Sequence, residues 1–174
     1  MVPSAGPVAR DAGHDDVMAI CRFGEAYIRP HYAPLIGIAA ADEQVRNWWN
    51  ETYIGAAVAE GLVVVAEADG QLVGVGQRGR RGADHAVYKL YIHPQHRGRG
   101  LGPQLIDALT SQLPANAEWL YIEHFVANER AGAFYEREGF AVERIEPSPT
   151  GNPALGVVWR RRYLAPSARA SGQA

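Results

Sequence analysis

The chain has 174 residues, a length typical of one domain, and 47% of them are hydrophobic, as in an ordinary globular protein with a buried core. Its formal net charge of −2 provides no basic excess of the kind that nucleic-acid binding requires. Cys21 is the only cysteine, which excludes an intrachain disulfide and a cysteine-based metal cluster and favours a reducing compartment.

Two helices are predicted in the N-terminal third of the chain. The first opens at Asp15 or Asp16, which are good capping residues, and is expected to end where Pro30 and Pro34 interrupt it. The second opens at Asp42 and is marked by apolar or aromatic residues at helical spacing. These residues are Val45, Trp48, Trp49, Thr52 and Tyr53.

The remaining predicted elements are mainly strands, which β-branched and alternating apolar residues indicate. Asp69-Gly70 is a two-residue hairpin signal between two of them, and Gly79–Gly82 is predicted to form the next turn. A strand–loop–helix–strand unit over residues 87–126 indicates one parallel crossover within a mostly antiparallel sheet. The predicted strands are Val8–Arg10, Leu62–Ala68, Gln71–Gln77, Val87–Ile92, Trp119–Val126, Phe140–Ile145 and Leu155–Tyr163, and the later helices are 103–113 and 128–137.

A glycine-rich segment separates the strand at Val87–Ile92 from the next helix, with the sequence Gln95-His96-Arg97-Gly98-Arg99-Gly100-Leu101-Gly102. Such a turn directs successive backbone N–H groups to one point, and the helix N-terminus adds partial positive charge, so the segment is a candidate anion site. A P-loop is excluded because no Gly-Lys-Ser/Thr follows. The dinucleotide fingerprint fails because Pro103 stands where its third glycine belongs. A plain glycine-rich turn is the alternative.

The residues of this segment resemble the R/Q-x-x-G-x-G/A signature of the GNAT superfamily of N-acetyltransferases, over Arg97-Gly98-Arg99-Gly100-Leu101-Gly102. Leu90-Tyr91-Ile92-His93-Pro94 resembles the strand that leads into that loop in the family. Asn128…Ala131…Phe134-Tyr135-Glu136…Gly139-Phe140 resembles the family's next block. The resemblance covers roughly residues 62–140.

The resemblance implies an α/β fold with a mixed, mostly antiparallel central sheet of about seven strands, flanked by about four helices. We expect one domain over residues 1–165 and a disordered, Ser/Ala-rich tail over residues 166–174. The resemblance also implies a splay between the fourth and fifth strands, predicted at Val87–Ile92 and Trp119–Val126, in which acetyl-CoA binds.

The implied coenzyme contacts come mainly from the backbone. The pyrophosphate rests on N–H groups of the glycine segment, to which two arginine side chains add charge-assisted contacts. The pantetheine arm pairs with the backbone of Leu90 and Ile92 as an added strand, and Asn128 contacts it while also capping a helix. The segment's residues are Arg97, Gly98, Arg99, Gly100, Leu101 and Gly102.

Amide formation from a thioester requires a neutral amine, a donor for the oxyanion and a proton for the leaving thiolate. The resemblance implies that Tyr135 faces the coenzyme sulfur and donates this proton. Glu123, 12 residues before it, is the candidate base. The alternatives for the base are a fourth-strand residue near Ala86, where Asp84 and His85 lie, and an ordered water.

In the resembled family the first two helices wall the acceptor pocket, which makes Tyr27, Tyr32 and Trp49 candidate substrate-binding residues. Aromatic rings bind apolar amines or cations, and core packing is the alternative role. We therefore expect an enzyme, an acetyl-CoA-dependent N-acetyltransferase without a metal that acts on a primary amine of a small molecule or a peptide N-terminus by direct attack in a ternary complex. A non-catalytic acyl-CoA-binding sensor or regulatory module of the same fold is the alternative.

The expected location and partners follow from absent signals. Residues 1–16 contain no basic start followed by an apolar run, and no stretch approaches the roughly 20 apolar residues of a membrane span. We expect a cytoplasmic protein with a small-molecule or peptide amine as its partner, and neither nucleic acid nor membrane. The oligomeric state stays open, with a homodimer through the last strands as one alternative.

Overall fold

The structure is a computed structural model that describes residues 6–165, so the predicted tail at 166–174 lies outside the described residues. The strands are β1 (Val8–Asp11), β2 (Val63–Ala68), β3 (Gln71–Arg81), β4 (Asp84–Ile92), β5 (Trp119–Phe125), β6 (Ala141–Glu146) and β7 (Val157–Tyr163). The α-helices are α1 (Val17–Phe23), α2 (Arg29–Ile36), α3 (Ile38–Trp48), α4 (Glu51–Ala59), α5 (Leu101–Ser111) and α6 (Glu129–Arg137).

Within the described residues, seven strands form one sheet in the order β1-β2-β3-β4-β5-β7-β6. The pairs β1–β2, β2–β3, β5–β7 and β7–β6 are antiparallel, whereas β4 and β5 are parallel and are connected through α5. The mixed α/β class and the single parallel crossover predicted from the sequence are therefore confirmed.

Within the described residues, the contacts divide the chain into two compact units: a first unit of residues 6–77 and 89–109, and a second unit of residues 78–88 and 110–165. In the first unit, buried side chains of α1, α3 and α4 form a core with those of β2 and β3. Two glycines of β3 let α5 approach the sheet, because a Cβ at Gly74 would lie 3.1 Å from Leu105 and one at Gly76 would lie 3.0 Å from Leu109.

The expectation that Pro30 and Pro34 end the first helix is wrong. A single π-helical turn at Gly24–Ile28 follows α1, and α2 then contains both prolines. Pro30 lies in the first turn of α2, directly after the π-helical turn. Pro34 removes a hydrogen bond to the carbonyl of Pro30, but both prolines are exposed, so water can solvate that carbonyl.

The second predicted helix is two helices. α3 begins before Asp42, at Ile38, and the chain breaks after Trp48. Asn50 causes the break because its side chain accepts a hydrogen bond from the N–H of Tyr53 at 2.9 Å, which caps α4. Its amide also donates to the carbonyl of Arg46 at 2.8 Å and so binds the end of α3.

The hairpins that join β2, β3 and β4 differ in how well the sequence predicted them. Asp69 and Gly70 both have positive φ, 51° and 75°, which confirms the predicted two-residue turn. The predicted turn at Gly79–Gly82 is wrong, since β3 continues to Arg81 and only Gly82 and Ala83 connect it to β4. The alternating pattern there is obscured by glycine and arginine, which are weak strand signals.

The second unit is built on β5, β7 and β6 with α6 against β5. One face of its sheet carries a buried cluster of Ala86, Tyr121 and Trp159. The guanidinium of Arg81 lies 4.3 Å from the ring centre of Tyr121 and 4.4 Å from that of Trp159. No helix among the described residues is long and apolar enough to cross a membrane.

Candidate active site

The glycine segment forms an exposed loop at the start of α5 in the first unit. Gly98 and Gly100 have φ of 73° and 79°, in the left-handed region that favours glycine. No heavy atom lies within 4 Å of a Cβ placed on either residue, so the space beside the loop is open. The first helical hydrogen bond runs from Gln104 N–H to Gly100 O at 3.3 Å, which leaves the N–H groups of the first turn for a ligand.

Arg97 anchors this loop to the end of β4. Its Nε donates to the carbonyl of Ile92 at 3.1 Å, and its Nη2 donates to the hydroxyl of Tyr91 at 2.8 Å. Arg99, by contrast, is exposed in the loop. Of the two predicted arginines, Arg97 therefore has a structural role, and Arg99 is the one whose side chain projects into solvent beside the glycines.

His93 lies just before the loop and bridges it to the N-terminal helices. Its Nδ1 accepts from the N–H of Gln95 at 3.1 Å, and its Nε2 is 2.8 Å from the hydroxyl of Tyr27. Burial, followed by the nearby His96 and Arg97, lowers the pKa of His93. No role for His93 was predicted from the sequence, although a histidine directly before Pro94 at the start of a turn is a recognisable capping position.

The three predicted acceptor residues lie in the first unit in different surroundings. Tyr27 and Tyr32 are half-buried, and Tyr32 packs edge-on against His31. Trp49 is 6% exposed within the core cluster, where it packs so closely on Gly24 that a Cβ there would lie 2.7 Å from it.

Lys89 is a polar core residue for which no role was predicted from the sequence. It is the only lysine of the chain and is 8% exposed on β4. Its Nζ donates to Gln77 at 2.8 Å and lies 4.4 Å from the ring centre of Tyr53. The signal in the sequence is a single lysine at an inward position of an apolar strand.

Tyr135 and Asn128 belong to α6 in the second unit. Tyr135 is 6% exposed, and its ring packs against those of His124, Phe134 and Phe140 at 5.4 to 6.2 Å. Asn128 is also buried, and its side chain accepts from the N–H of Ala131 at 3.3 Å. The predicted helix-capping role of Asn128 is therefore confirmed.

Glu123 and His124 are neighbours on β5 and project to opposite faces of the strand. His124 faces α6, because a Cβ on Gly132 would lie 3.0 Å from its ring. Its Nε2 accepts from Nε of Arg160 at 3.1 Å, so the proton is on Nδ1, which donates to the carbonyl of Phe125 at 2.9 Å. Burial lowers the pKa of His124, which keeps the ring neutral.

Glu123 is half-buried on the other face, directly opposite Trp159 of β7. Tyr135 packs on the His124 side of β5. The two predicted catalytic groups therefore approach β5 from opposite faces of the second unit's sheet.

The alternative candidates for the catalytic base, Asp84 and His85 near Ala86, lie where β4 pairs with β5. That parallel pairing runs from His85 opposite Leu120 to Val87 opposite Ile122, whereas β4 continues to Ile92 and β5 to Phe125. His85 Nε2 lies 3.1 Å from Nη1 of Arg80, and burial, then the charges of Arg80 and Arg78, lower its pKa.

Residues 59–142 match the family model described as an acetyltransferase (GNAT) domain. An uncharacterized protein from Mycobacterium leprae is 34% identical over 120 residues, which are 68% of this chain and 30% of that protein. A mycothiol acetyltransferase from Propionibacterium freudenreichii is 34% identical over 142 residues, 76% of this chain and 41% of that protein. The chain belongs to the GNAT acetyltransferase family.

The GNAT chain spans well under half the length of these two relatives, since the matched segments are 30% and 41% of them. Its fold is shared by the solved structure of PaiA N-acetyltransferase from Thermoplasma acidophilum, which is in complex with coenzyme A. That structure aligns with a TM-score of 0.73 and 14% identity over 92% of this chain and 100% of that chain. Within residues 6–165 of the GNAT chain, no group of three or more His, Cys, Asp or Glu is arranged to hold a metal ion.

Proposed function

We propose that this GNAT chain transfers the acetyl group of acetyl-CoA to a primary amine of a small molecule or a peptide N-terminus, by direct attack in a ternary complex. The geometry of the glycine loop carries the proposal. Gly98 and Gly100 adopt positive φ beside open space, immediately before the N-terminus of α5. A loop of this kind presents converging N–H groups and partial positive charge to an anion.

The residues of the first unit fit the coenzyme. N–H groups of residues 97–102 would take the pyrophosphate, and exposed Arg99 would add a charged contact. Leu90 and Ile92 follow on β4 beyond the last residue that pairs with β5, which supports an added-strand contact with the pantetheine arm. Asn128, whose side chain caps α6, is the proposed further contact to that arm.

The second unit supplies two groups for the proton transfers. Bound acetyl-CoA supplies a thioester, at which a C–N bond to the acceptor forms and the C–S bond breaks. Glu123 would accept the proton that the amine must lose, and the hydroxyl of Tyr135 would donate a proton to the leaving thiolate. Their positions on opposite faces of β5 support separate roles, one on the acceptor side and one on the thiol side.

The acceptor is proposed only as a class. Half-buried Tyr27 and Tyr32, with Trp49 behind them in the core, offer aromatic surface for an amine. One relative is named a mycothiol acetyltransferase, and its 34% identity supports the acyl-transfer class rather than a particular acceptor. Small amines, amino sugars, amino acids and peptide N-termini are therefore the panel to test.

Calorimetric titration with acetyl-CoA, followed by thiol release from that amine panel, tests the proposal. We expect micromolar binding and turnover with at least one amine class. Binding with no turnover on any class would favour the sensor alternative. Absence of binding would overturn the proposal, because the glycine loop would then not be a coenzyme site.

A further inference from the structure

Tyr27 and His93 form a hydrogen-bonded pair beside the glycine loop, although they are 66 positions apart in the chain. The hydroxyl of Tyr27 lies 2.8 Å from Nε2 of His93, and the ring centres are 4.5 Å apart in an edge-on arrangement. Tyr27 lies on the single π-helical turn between α1 and α2, a local widening that is frequent at functional sites.

The hydrogen bonds of His93 define which atom is the donor. Nδ1 accepts from the backbone N–H of Gln95, so it carries no proton. The neutral ring therefore has its proton on Nε2 and donates it to the oxygen of Tyr27. As a result the tyrosine O–H points away from His93 and is itself a donor, and no acceptor for it is found among the described residues.

The position of this donor is fixed relative to the loop. The carbonyl of Tyr27 accepts from the hydroxyl of Tyr91 at 3.2 Å, and that hydroxyl accepts from Arg97 of the loop at 2.8 Å. His93 caps the turn that leads into the same loop. Phe23 also packs on the Tyr27 ring, with 4.9 Å between ring centres. Tyr27 is thus held by hydrogen bonds to His93 and Tyr91, which precede the segment proposed to bind the coenzyme.

We propose that the Tyr27 hydroxyl, oriented by His93, donates a hydrogen bond to an oxygen that the acceptor carries next to its amine. The acceptor class is then amines with a neighbouring hydroxyl, carbonyl or carboxylate oxygen, as in amino sugars, amino alcohols and amino-acid derivatives, and not plain alkylamines. This inference rests on the proposed transferase function. A half-buried donor that must give up water discriminates against a ligand that leaves it without an acceptor.

Matched amine pairs test the inference directly. Ethanolamine is compared with propylamine, and 2-aminocyclohexanol with cyclohexylamine, by kcat/KM for thiol release from acetyl-CoA. In the unaltered chain we expect the oxygenated amine of a pair to be preferred by at least about tenfold. Tyr27→Phe keeps the ring packing and removes only the hydroxyl, so it should bring that ratio close to one.

Two substitutions of His93 separate its two hydrogen bonds. In His93→Asn the amide oxygen takes the place of Nδ1 and can still accept from Gln95, but the donor to Tyr27 is lost. We expect acetyl-CoA affinity to stay within about threefold while the preference for oxygenated amines falls several-fold. In His93→Gln the amide nitrogen takes the place of Nε2, and the preference should be largely restored.

The outcomes distinguish the inference from the function on which it rests. No turnover of any amine would overturn the transferase proposal and this inference with it. Turnover of both members of each pair at equal rates would overturn the inference alone. So would an equal loss for both members in Tyr27→Phe, because that pattern indicates a structural role for the hydroxyl.

Discussion

Tyr135 is buried at the contact between α6 and β5, with aromatic rings around it. A phenol there is largely shielded from bulk water. The same burial explains why removing the hydroxyl alone is a clean test, since phenylalanine fills nearly the same volume.

We expect Tyr135→Phe to lower turnover by about ten- to ten-thousandfold, the usual range for loss of a general acid. Acetyl-CoA affinity should stay close to that of the unaltered chain, because the ring and its packing remain. Steady-state thiol release and calorimetry measure the two quantities. Unchanged turnover would remove Tyr135 from the proton transfer.

Gly100→Asp should weaken acetyl-CoA binding by at least about tenfold, because it adds a side chain and a like charge at the proposed pyrophosphate site. Gly70→Asp is the matched control. Gly70 also has a positive φ, 75°, and open space around its Cβ, but it lies in the hairpin between β2 and β3. Calorimetry on both variants measures the effect, and an equal loss in both would show that backbone strain is the cause.

The N-terminal helices show how single residues set the boundaries of elements. Asn50 serves two helices at once: its carbonyl oxygen caps α4 and its amide nitrogen donates to carbonyls at the end of α3. Pro34, which on its own predicts a helix end, lies inside α2 because both it and Pro30 are exposed. Local sequence signals therefore compete, and side-chain hydrogen bonds and exposure decide between them.

Asn50→Ala should lower the free energy of unfolding by about 1 kcal/mol, the usual cost of losing a helix cap. Asn47→Ala, three positions earlier on α3, is the control and should change stability by less than about 0.5 kcal/mol, because Asn47 is exposed and its side chain makes no hydrogen bond among the described residues. Chemical denaturation of both variants measures the difference. Equal losses would mean that the cap contributes nothing specific.

At the scale of the whole molecule, His85, His93 and His124 couple stability to pH. Burial is the main cause that lowers the pKa of His85, His93 and His124, so the folded chain resists protonating them. Each contributes stability that is fully present above the unfolded pKa of about 6.5 and is lost as pH falls below it. His93 belongs to the first unit, and His85 and His124 belong to the second.

We therefore expect the free energy of unfolding to be nearly constant from pH 8 to 7 and to fall between pH 6.5 and 5. His124→Gln should make that fall shallower, because it removes one histidine whose pKa is lowered in the folded chain. His14→Gln at an exposed position is the matched control. Urea denaturation across this pH range measures the slope, and identical slopes in the two variants would contradict the assignment to His124.

The sequence by itself determined the features that depend on local backbone chemistry. Gly98 and Gly100 were identified from a glycine-rich turn between a strand and a helix, and both adopt positive φ, which favours glycine. The Asp69-Gly70 turn and the Asn128 cap were also predictable from the sequence, because each involves only residues within three positions of one another. The order of strands and helices around the loop followed from periodicity.

Only the tertiary structure decided which distant side chains meet. His93 was recognisable as a capping residue, but its partner Tyr27 lies 66 positions away, and no local pattern joins them. The same holds for Lys89, whose ammonium is placed against Gln77 and Tyr53 only when β3, β4 and α4 pack together. The physical reason is that hydrogen bonds between distant residues form only after the backbone elements are packed, so a sequence reveals the donors and acceptors but not their pairing.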